Sequence, residues 1–387
     1  MQKEKTLFII SLLIFTVFLL SIPLPLSAKV TGICSNCHTM HNSQNGTDVN
    51  TTVSAELSLL KADCLGCHTG SSSTGFDAST DAPLVLNTDT TTELAGGNFT
   101  YITTADNRGH NIVDLGTPDA VLDDPPGNVP SHLGSVSDAD LTCAGRNGCH
   151  GRRDTGVAKS NLASMQGDHH NDDDDGVIDT ATTSANSYRF LWGVKGYENN
   201  GQVSSSTKYQ NADATNHNEY FGTSTPLAIS CSANQCHGGS PAGVVQSRSN
   251  TISFFCATCH GNFHTLDVNV QWSDPTMVGI GADNTNPFLR HPTDVLLPAT
   301  GEYASYNPAS IGAYSTAAPV GRTSQPTSMS GTVSVGTGVV MCISCHKSHA
   351  SNYADMLRWD YSTMDVGTTG AAEGTACFIC HTQKDGT

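Results

Sequence analysis

The feature that most constrains this chain is a short cysteine and histidine motif that recurs along its length. Cys34-Ser-Asn-Cys37-His38 has the form C-x-x-C-H, and this form returns four more times. Two longer versions keep the His directly after the second Cys. The seven sets, which use all 14 cysteines, are Cys34, Cys37 and His38; Cys64, Cys67 and His68; Cys143, Cys149 and His150; Cys231, Cys236 and His237; Cys256, Cys259 and His260; Cys342, Cys345 and His346; and Cys377, Cys380 and His381.

C-x-x-C-H is the sequence through which a haem is attached by two thioethers, with the His as an axial iron ligand. Only 16 of the 387 residues are His, so a His after the second Cys of every pair is not a chance pattern. A disulfide framework or zinc knuckles would also pair cysteines, but neither demands a His at this fixed place. The sequence therefore predicts seven haem c groups. The longer motifs at Cys143 and Cys231 must loop out extra residues to keep both sulfurs beside the vinyl carbons.

The histidines outside these motifs are numerous enough to supply a second axial ligand to every iron. Seven of the 16 are proximal, which leaves nine for seven sixth positions. The alternative is that they are ordinary surface residues, which is a poor account of nine together. We favour His110 and His291 most, then one of His169 and His170, then His217, with His132 as the spare. The other three candidates are His41, His264 and His349.

These three candidates follow a proximal His closely. His41 and His349 come three residues after one, and His264 comes four residues after one. On a helical turn such offsets place both rings on one face. A His there cannot reach the far side of its own iron, so we expect each to bind a neighbouring haem and to bring adjacent haems close together.

Composition argues against a conventional core. Only 6% of residues are aromatic, 37 are Gly and 16 are Pro, and the chain lacks periodic apolar stripes. We predict a mostly coil fold with short α-helices and few β-strands, a haem-cored multihaem cytochrome c. The haem-poor stretches 69–142, 151–230 and 265–341 are either solvated linkers or covering loops that insulate a haem row, and we favour covering loops because the distal ligands must come from them.

The N-terminus has the pattern of a secretory signal. Residues 1–28 combine Lys3 and Lys5, an apolar run over 7–20 and small residues before Lys29. A retained anchor is the alternative, but Pro23 and Pro25 interrupt the run. We therefore expect cleavage, no membrane span in the mature chain, and one secreted domain over 29–387. A net charge of −17 with no basic stripe excludes nucleic acid as a partner.

Apart from the cysteine motifs and the histidines, the sequence has one other candidate binding segment, which is an acidic run. Residues 171–179, Asn-Asp-Asp-Asp-Asp-Gly-Val-Ile-Asp, space oxygen atoms as calcium loops do, with Gly176 at the sharp turn. The position that carries a bidentate Glu in an EF-hand is Thr182 here. Calcium and a simple solvated loop both stay open.

Several segments resemble the OmcS-type multihaem c-type cytochromes, which polymerise into extracellular filaments that conduct electrons. The resemblance covers most of the mature chain, and its family pattern has six haems, so Cys231 to His237 looks like an added seventh. It implies that His41 binds, in the next subunit, the haem held by His346. The matching segments are 34–43, Gly109-His110-Asn111-Ile112-Val113, 188–191 with Gly196-Tyr197, Cys256 to His264, Leu289-Arg290-His291-Pro292, and 342–346 with Ser348-His349-Ala350-Ser351.

The sequence thus predicts a secreted electron carrier without a substrate pocket, whose partners are other copies of itself, redox proteins or extracellular acceptors. Two alternatives stay open: a monomeric periplasmic carrier, and a multihaem oxyanion reductase with one open iron. Nine spare histidines and the lack of a C-x-x-C-K variant weigh against the reductase.

The first prediction concerns the number of haems. We expect mass spectrometry of the exported protein to find seven haems on each chain, because all seven motifs carry two sulfurs and a His. A mass with five haems would show that the longer motifs at Cys143 and Cys231 are empty.

Overall fold

The computed structural model describes most of the chain outside its N-terminus and several loops. The predicted signal segment, His132, the longer motif from Cys231 to His237, His264 and residues 172–175 of the acidic run lie outside the described residues. The described residues are 32–51, 59–116, 119–122, 124–126, 140–153, 161–171, 176–198, 213–224, 227–228, 250–260, 291, 293–366 and 374–383.

Regular structure is short throughout, so the prediction of a mostly coil fold is confirmed. The α-helices of the described residues have four to six residues: α1 Cys64–His68, α2 Asn161–Met165, α3 Asp168–Asn171, α4 Ile252–Ala257 and α5 Cys342–Cys345. The 3-10 turns of the same parts are Cys34–Asn36, Phe99–Tyr101, Asp106–Arg108, Val113–Leu115, Tyr188–Phe190, Gly301–Tyr303, Pro308–Ser310, Ala354–Met356, Tyr361–Thr363 and Ala376–Ile379. None of the described helices is long and apolar enough to cross a membrane.

Strands of two or three residues form small, separate sheets. β1 and β2 pair antiparallel, β3 with β4 and β5 with β6 pair parallel, β7, β8 and β9 form an antiparallel sheet, and β11 pairs with β10 in parallel and with β12 antiparallel. The strands are β1 Ser43–Gln44, β2 Thr47–Asp48, β3 Thr69–Gly70, β4 Leu86–Asn87, β5 Thr142–Ala144, β6 Gly148–His150, β7 Val177–Ile178, β8 Gly196–Tyr197, β9 Glu219–Tyr220, β10 Leu227–Ala228, β11 Val295–Leu296 and β12 Val339–Val340.

The tight motifs share one local structure. In each of them the five residues from the first Cys to the His make a single helical turn, so that the His N–H donates to the carbonyl oxygen of the first Cys, for example His38 to Cys34 at 2.8 Å and His381 to Cys377 at 2.9 Å. Side chains capping the turn stabilise two of these motifs: Asp63 accepts from Gly66 N–H, and Thr251 accepts from Phe254 N–H. One turn therefore presents two sulfurs and an imidazole together.

The longer motif at Cys143 brings its two cysteines together with a loop instead of a single helical turn. β5 and β6 run side by side with Thr142 opposite Gly148, so Cys143 and Cys149 lie on neighbouring segments. A side chain at Gly148 would meet the Ala144 backbone at 2.6 Å, so the loop can close only with glycine there. The extra residues are looped out, as the motif length predicts.

Apolar packing is divided among three small clusters. One surrounds Tyr188, Tyr220 and Met341, a second surrounds Tyr306, Tyr314 and Val320, and a third joins Phe99 to Ala350. Each cluster includes or contacts a motif cysteine, namely Cys149, Cys380 and Cys143. The chain thus packs around its cysteine motifs instead of around one continuous core.

The segment after His346 is clamped by close backbone contacts. Ala350 is fully buried, and Asn98 N–H donates to its carbonyl oxygen at 3.1 Å. A Cβ on Gly97 would lie 1.9 Å from that same oxygen. The backbone can approach this closely only because residue 97 is glycine.

The second prediction tests this contact with two glycines in the same left-handed conformation. Gly97 has φ +88 and Gly116 has φ +87, but a Cβ on Gly116 meets nothing within 4 Å. We expect Gly116→Ala to lower the free energy of unfolding by about 1 kcal/mol through backbone strain alone. Gly97→Ala adds the clash and should lower it by roughly 3 kcal/mol or more. Thermal unfolding of the haem-loaded protein measures both, and equal losses would show that the contact with Ala350 is not tight.

Candidate functional site

The cysteines of the motifs are present as separate thiols. All 12 cysteines in the described part of the chain are free of disulfides. A disulfide framework is therefore not what these pairs build there. Paired thiols on one turn beside an imidazole fit thioether attachment of a haem.

The proximal histidines are held in one tautomer by the backbone. In five of the six motifs described, Nδ1 of the His contacts a carbonyl oxygen, which can only accept, so Nδ1 must carry the proton. Nε2 is then left with its lone pair for a metal. The five contacts are His38 to Leu59 at 3.3 Å, and His68 to Pro83, His150 to Arg189, His260 to Pro126 and His346 to Asp355, each at 2.8 Å.

Five proximal imidazoles face a second imidazole at a nearly constant distance. The ring centroids of the pairs are 6.0 to 6.3 Å apart, too far for ring contact. Two metal–nitrogen bonds of about 2 Å, with about 1 Å from each nitrogen to its ring centre, span about 6 Å. The gap in each pair therefore fits one iron. The pairs are His38 with His170, His68 with His169, His150 with His349, His260 with His110, and His381 with His291.

Two imidazoles by themselves are not a complete set of protein ligands for a metal ion such as zinc, which takes four in structural sites. Within the described residues there is no group of three or more His, Cys, Asp or Glu side chains that could hold a metal. The remaining coordination positions must come from a planar macrocycle between the rings. The donor sets thus fit haem c.

The facing histidines are kept neutral by burial. Burial, and after it the neighbouring His260, lowers the pKa of His110 to about 4. Burial, followed by His150, lowers the pKa of His349 to about 3. Only a neutral imidazole offers a lone pair, so both rings are in the form that binds iron at neutral pH.

The first three motifs follow one another in space, as their cysteines show. Burial and then the nearby Cys37 raise the pKa of Cys67, which brings the first motif next to the second. The neighbouring Cys143 thiol lowers the pKa of Cys64, which places the second motif next to the third.

The row continues from the third motif directly to the fifth. Burial raises the pKa of Cys149, and the nearby Cys259 of the fifth motif adds to the rise. The neighbouring Cys342 thiol raises the pKa of Cys256, which places the fifth motif next to the sixth. Burial raises the pKa of Cys345 to about 12, and the nearby Cys377 of the seventh motif adds to the rise. Six motifs therefore lie in the order first, second, third, fifth, sixth and seventh.

Two short segments each contribute residues to more than one of the facing imidazole pairs. His169 and His170 are adjacent on α3, yet they face His68 and His38 of different motifs. Our sequence analysis expected only one of them to face a proximal His. In the other segment, His349 faces His150, while the carbonyl of the preceding Ser348 accepts from Nδ1 of His110 at 2.8 Å.

His217 does not lie opposite any proximal histidine that the structure describes, so its expected ligand role stays a prediction. Its ring is fully buried and stacks on Tyr314 with centroids 3.8 Å apart. Nδ1 contacts the Asp213 carbonyl at 3.2 Å, and Nε2 contacts a carboxylate oxygen of Glu219 at 3.0 Å. Because both nitrogens are engaged, neither is left for iron in this arrangement. Arg322 donates a hydrogen bond to each carboxylate oxygen of Glu219, which makes this a structural network.

His41 stands at the tip of a tight turn and not on a helix, which corrects the helical offset we assumed for it. The motif turn ends at Asn36, and Met40 and Ser43 then exchange two backbone hydrogen bonds across His41 and Asn42. Both central residues have positive φ, 58 and 84, the geometry of a two-residue hairpin turn. His41 is exposed there, and Met40 beside it is 72% exposed.

Among the six proximal histidines that the structure describes, His346 is the one without a facing imidazole. Its Nδ1 is bound by Asp355, but among the described residues no imidazole faces its ring. His132 and His264, which could close this iron within the chain, lie outside the described residues.

Repeated C-x-x-C-H turns, proximal imidazoles in a fixed tautomer and facing second imidazoles define a multihaem c-type cytochrome. Residues 334–386 match the family model described as doubled CXXCH motif. Over 89% of its length the chain is 25% identical to the C-type cytochrome OmcS of Geobacter sulfurreducens, covering 82% of that protein. The resemblance to OmcS-type multihaem c-type cytochromes is thereby confirmed.

Two solved structures are also similar. One is described as an Outer Membrane Cytochrome S filament from Geobacter sulfurreducens, with 22% identity, a TM-score of 0.44, and coverage of 93% of this chain and 94% of that one. The other is described as OmcS nanowires from the same organism, with 20% identity, a TM-score of 0.46, and coverage of 93% and 91%.

The third prediction separates a ligand from a structural histidine. His349→Ala should leave the haem on His150 with one imidazole, so that one haem per chain becomes high-spin. His217→Ala should leave every haem low-spin but lower the free energy of unfolding by about 1 to 3 kcal/mol, because Glu219 loses a buried partner. Optical and EPR spectra report the spin state, and thermal unfolding reports the stability. High-spin haem in His217→Ala would contradict our assignment of its role.

Proposed function

We propose that this protein carries electrons along a row of haems that are each closed by two histidines, and that copies of it join head to tail outside the cell. The observation that carries the proposal is the set of five facing imidazole pairs, 6.0 to 6.3 Å apart, on motifs that adjoin one another. When bound, haem c supplies one-electron redox chemistry. The chain's own residues hold, insulate and tune it.

Closed coordination favours electron transfer over catalysis. An iron with two imidazoles has no open position for a substrate, whereas an oxyanion reductase needs one. Within the chain, the backbone carbonyls fix the proximal rings and the distal loops deliver the second rings. We therefore infer a carrier, with the reductase as the alternative from the enzyme class.

We infer seven haems, of which six form the conducting row. The third motif adjoins the fifth through Cys149 and Cys259, so a haem at Cys231 and Cys236 is not needed to connect them. Such a haem would be an addition to the row. Calcium in the acidic run stays a prediction, to be tested by elemental analysis.

Head-to-tail assembly would give His346 its second ligand. The first motif begins the row and the sixth stands next to its other end, so an exposed His41 on one copy can reach His346 on the next. A contact between unlike surfaces propagates into an open filament unless the rotation closes a ring. The sequence similarity to OmcS supports this reading. A monomeric periplasmic carrier, with His132 or His264 closing the iron, is the alternative.

Export is part of the proposal. The signal pattern of residues 1–28 and covalent haem attachment, which takes place outside the cytoplasm, agree with each other. We propose an extracellular or outer-surface location, where the acceptors are redox proteins or extracellular electron acceptors.

The fourth prediction tests the ligand between copies. His41→Ala should retain all its haems, but the one on His346 should become high-spin and filaments should fail to form. Electron microscopy and spin-state spectra are the measurements. His132→Ala and His264→Ala are the matched controls, because each removes one histidine and should leave filaments intact. Filaments from His41→Ala, or a high-spin haem on His346 in either control, would contradict assembly through His41.

The fifth prediction concerns access to the irons. The reduced wild-type protein should bind carbon monoxide poorly, because six-coordinate irons offer it no site. Rapid carbon monoxide uptake by one haem per chain of assembled protein would favour the reductase.

A further inference from the structure

One proximal histidine departs from the pattern of the others. Five of them direct Nδ1 at a backbone carbonyl, as described above. His381, in the seventh motif, has its Nδ1 3.6 Å from a carboxylate oxygen of Glu302 instead. Within the described residues no backbone carbonyl accepts from it.

The chain fixes Glu302 against this motif. Thr382 N–H donates to the Glu302 carbonyl oxygen at 3.1 Å, so the residue after His381 is tied to the turn that carries Glu302. On the same turn, the Tyr303 ring meets the His381 ring edge-on, with centroids 5.2 Å apart. The Glu302 side chain is only 14% exposed, so the contact is largely shielded from water.

We infer that Glu302 is a positioning residue that lowers the reduction potential of the haem held by Cys377, Cys380 and His381. At 3.6 Å the carboxylate is an ion-pair neighbour of the ring and not a hydrogen-bond partner. A negative charge this close to an axial ligand stabilises the more positive, oxidised iron more than the reduced iron, and the groups around the axial ligand are one of the ways a protein sets a haem potential. This inference rests on the proposed function, since it requires haem in the seventh motif.

The neighbouring sixth motif has charges of both signs beside it, because the carboxylate of Asp355 and the guanidinium of Arg358 both act on His346. Arg358 N–H donates to the Cys345 carbonyl oxygen at 2.9 Å, and its Nε donates to the Ile343 carbonyl oxygen at 2.7 Å. A carboxylate next to Nδ1 of the proximal imidazole, in place of a backbone carbonyl, therefore distinguishes the seventh motif from the sixth.

The geometry also offers a way to observe this haem by itself. The planes of His381 and His291 are 89° apart, whereas the other four pairs differ by 21° to 53°. Perpendicular imidazole planes give a low-spin ferric EPR signal distinct from that of more nearly parallel planes. The potential of the seventh haem can therefore be followed by redox titration of its own signal.

The test uses Glu302→Gln in the full, haem-loaded protein. This variant keeps the shape of the side chain and removes its charge, so the distinct EPR signal should titrate at a higher potential. We expect at least a tenfold change in the reduction equilibrium, about 59 mV for one electron. Asp89→Asn is the control, because it removes the same charge from a half-buried carboxylate outside the seventh motif, which accepts from Thr91 N–H at 2.9 Å, and should leave that signal unchanged.

The outcomes separate the inference from the proposed function. An unchanged potential in Glu302→Gln, with every haem attached and low-spin, overturns the inference and leaves the function standing. An equal rise in Asp89→Asn overturns it too, because the effect would then be one of overall charge. If Glu302→Gln folds poorly, Glu302→Asp should give a smaller rise of the same sign, and no rise overturns the inference. Loss of haem from the seventh motif in the wild-type protein would overturn the function itself.

Discussion

The structure depends on one repeated constraint, which is that a proximal imidazole and a second imidazole stand about 6 Å apart in each of five described motifs. Each proximal ring is brought there by a single helical turn and fixed by its Nδ1 contact. Each facing ring comes from a loop that is distant in sequence, such as His349 opposite His150. Because the loops must meet these positions, the chain packs as several small apolar clusters around its motifs.

The same constraint explains why short segments are so tightly held. His169 and His170 face two different motifs, and the segment from His346 to Ala350 carries one proximal ring, one facing ring and the carbonyl that orients His110. A shift of either segment would disturb several irons together. Gly97, Phe99 and the buried Ala350 restrict that movement: the Phe99 ring stacks on His349 with centroids 4.7 Å apart.

Charges near the row differ from motif to motif, which matters in a chain with a net charge of −17. Buried acids are engaged in structural contacts, as Glu219 is with His217 and Arg322. Glu302 instead lies beside an axial ligand, and Arg358 lies beside the next motif. Such local differences allow haems with the same two ligands to have different potentials.

The sequence by itself indicated the cofactor and predicted the attachment residues and the proximal ligands, because covalent attachment requires two sulfurs and a histidine within one turn. It also indicated a coil-rich chain, since few aromatic residues and many glycines cannot form a large core. Only the tertiary structure decided which histidine faces which, that His217 contacts Glu219, that the third motif adjoins the fifth, and that His381 meets a carboxylate. These outcomes depend on where distant loops are placed, and no local spacing encodes that placement.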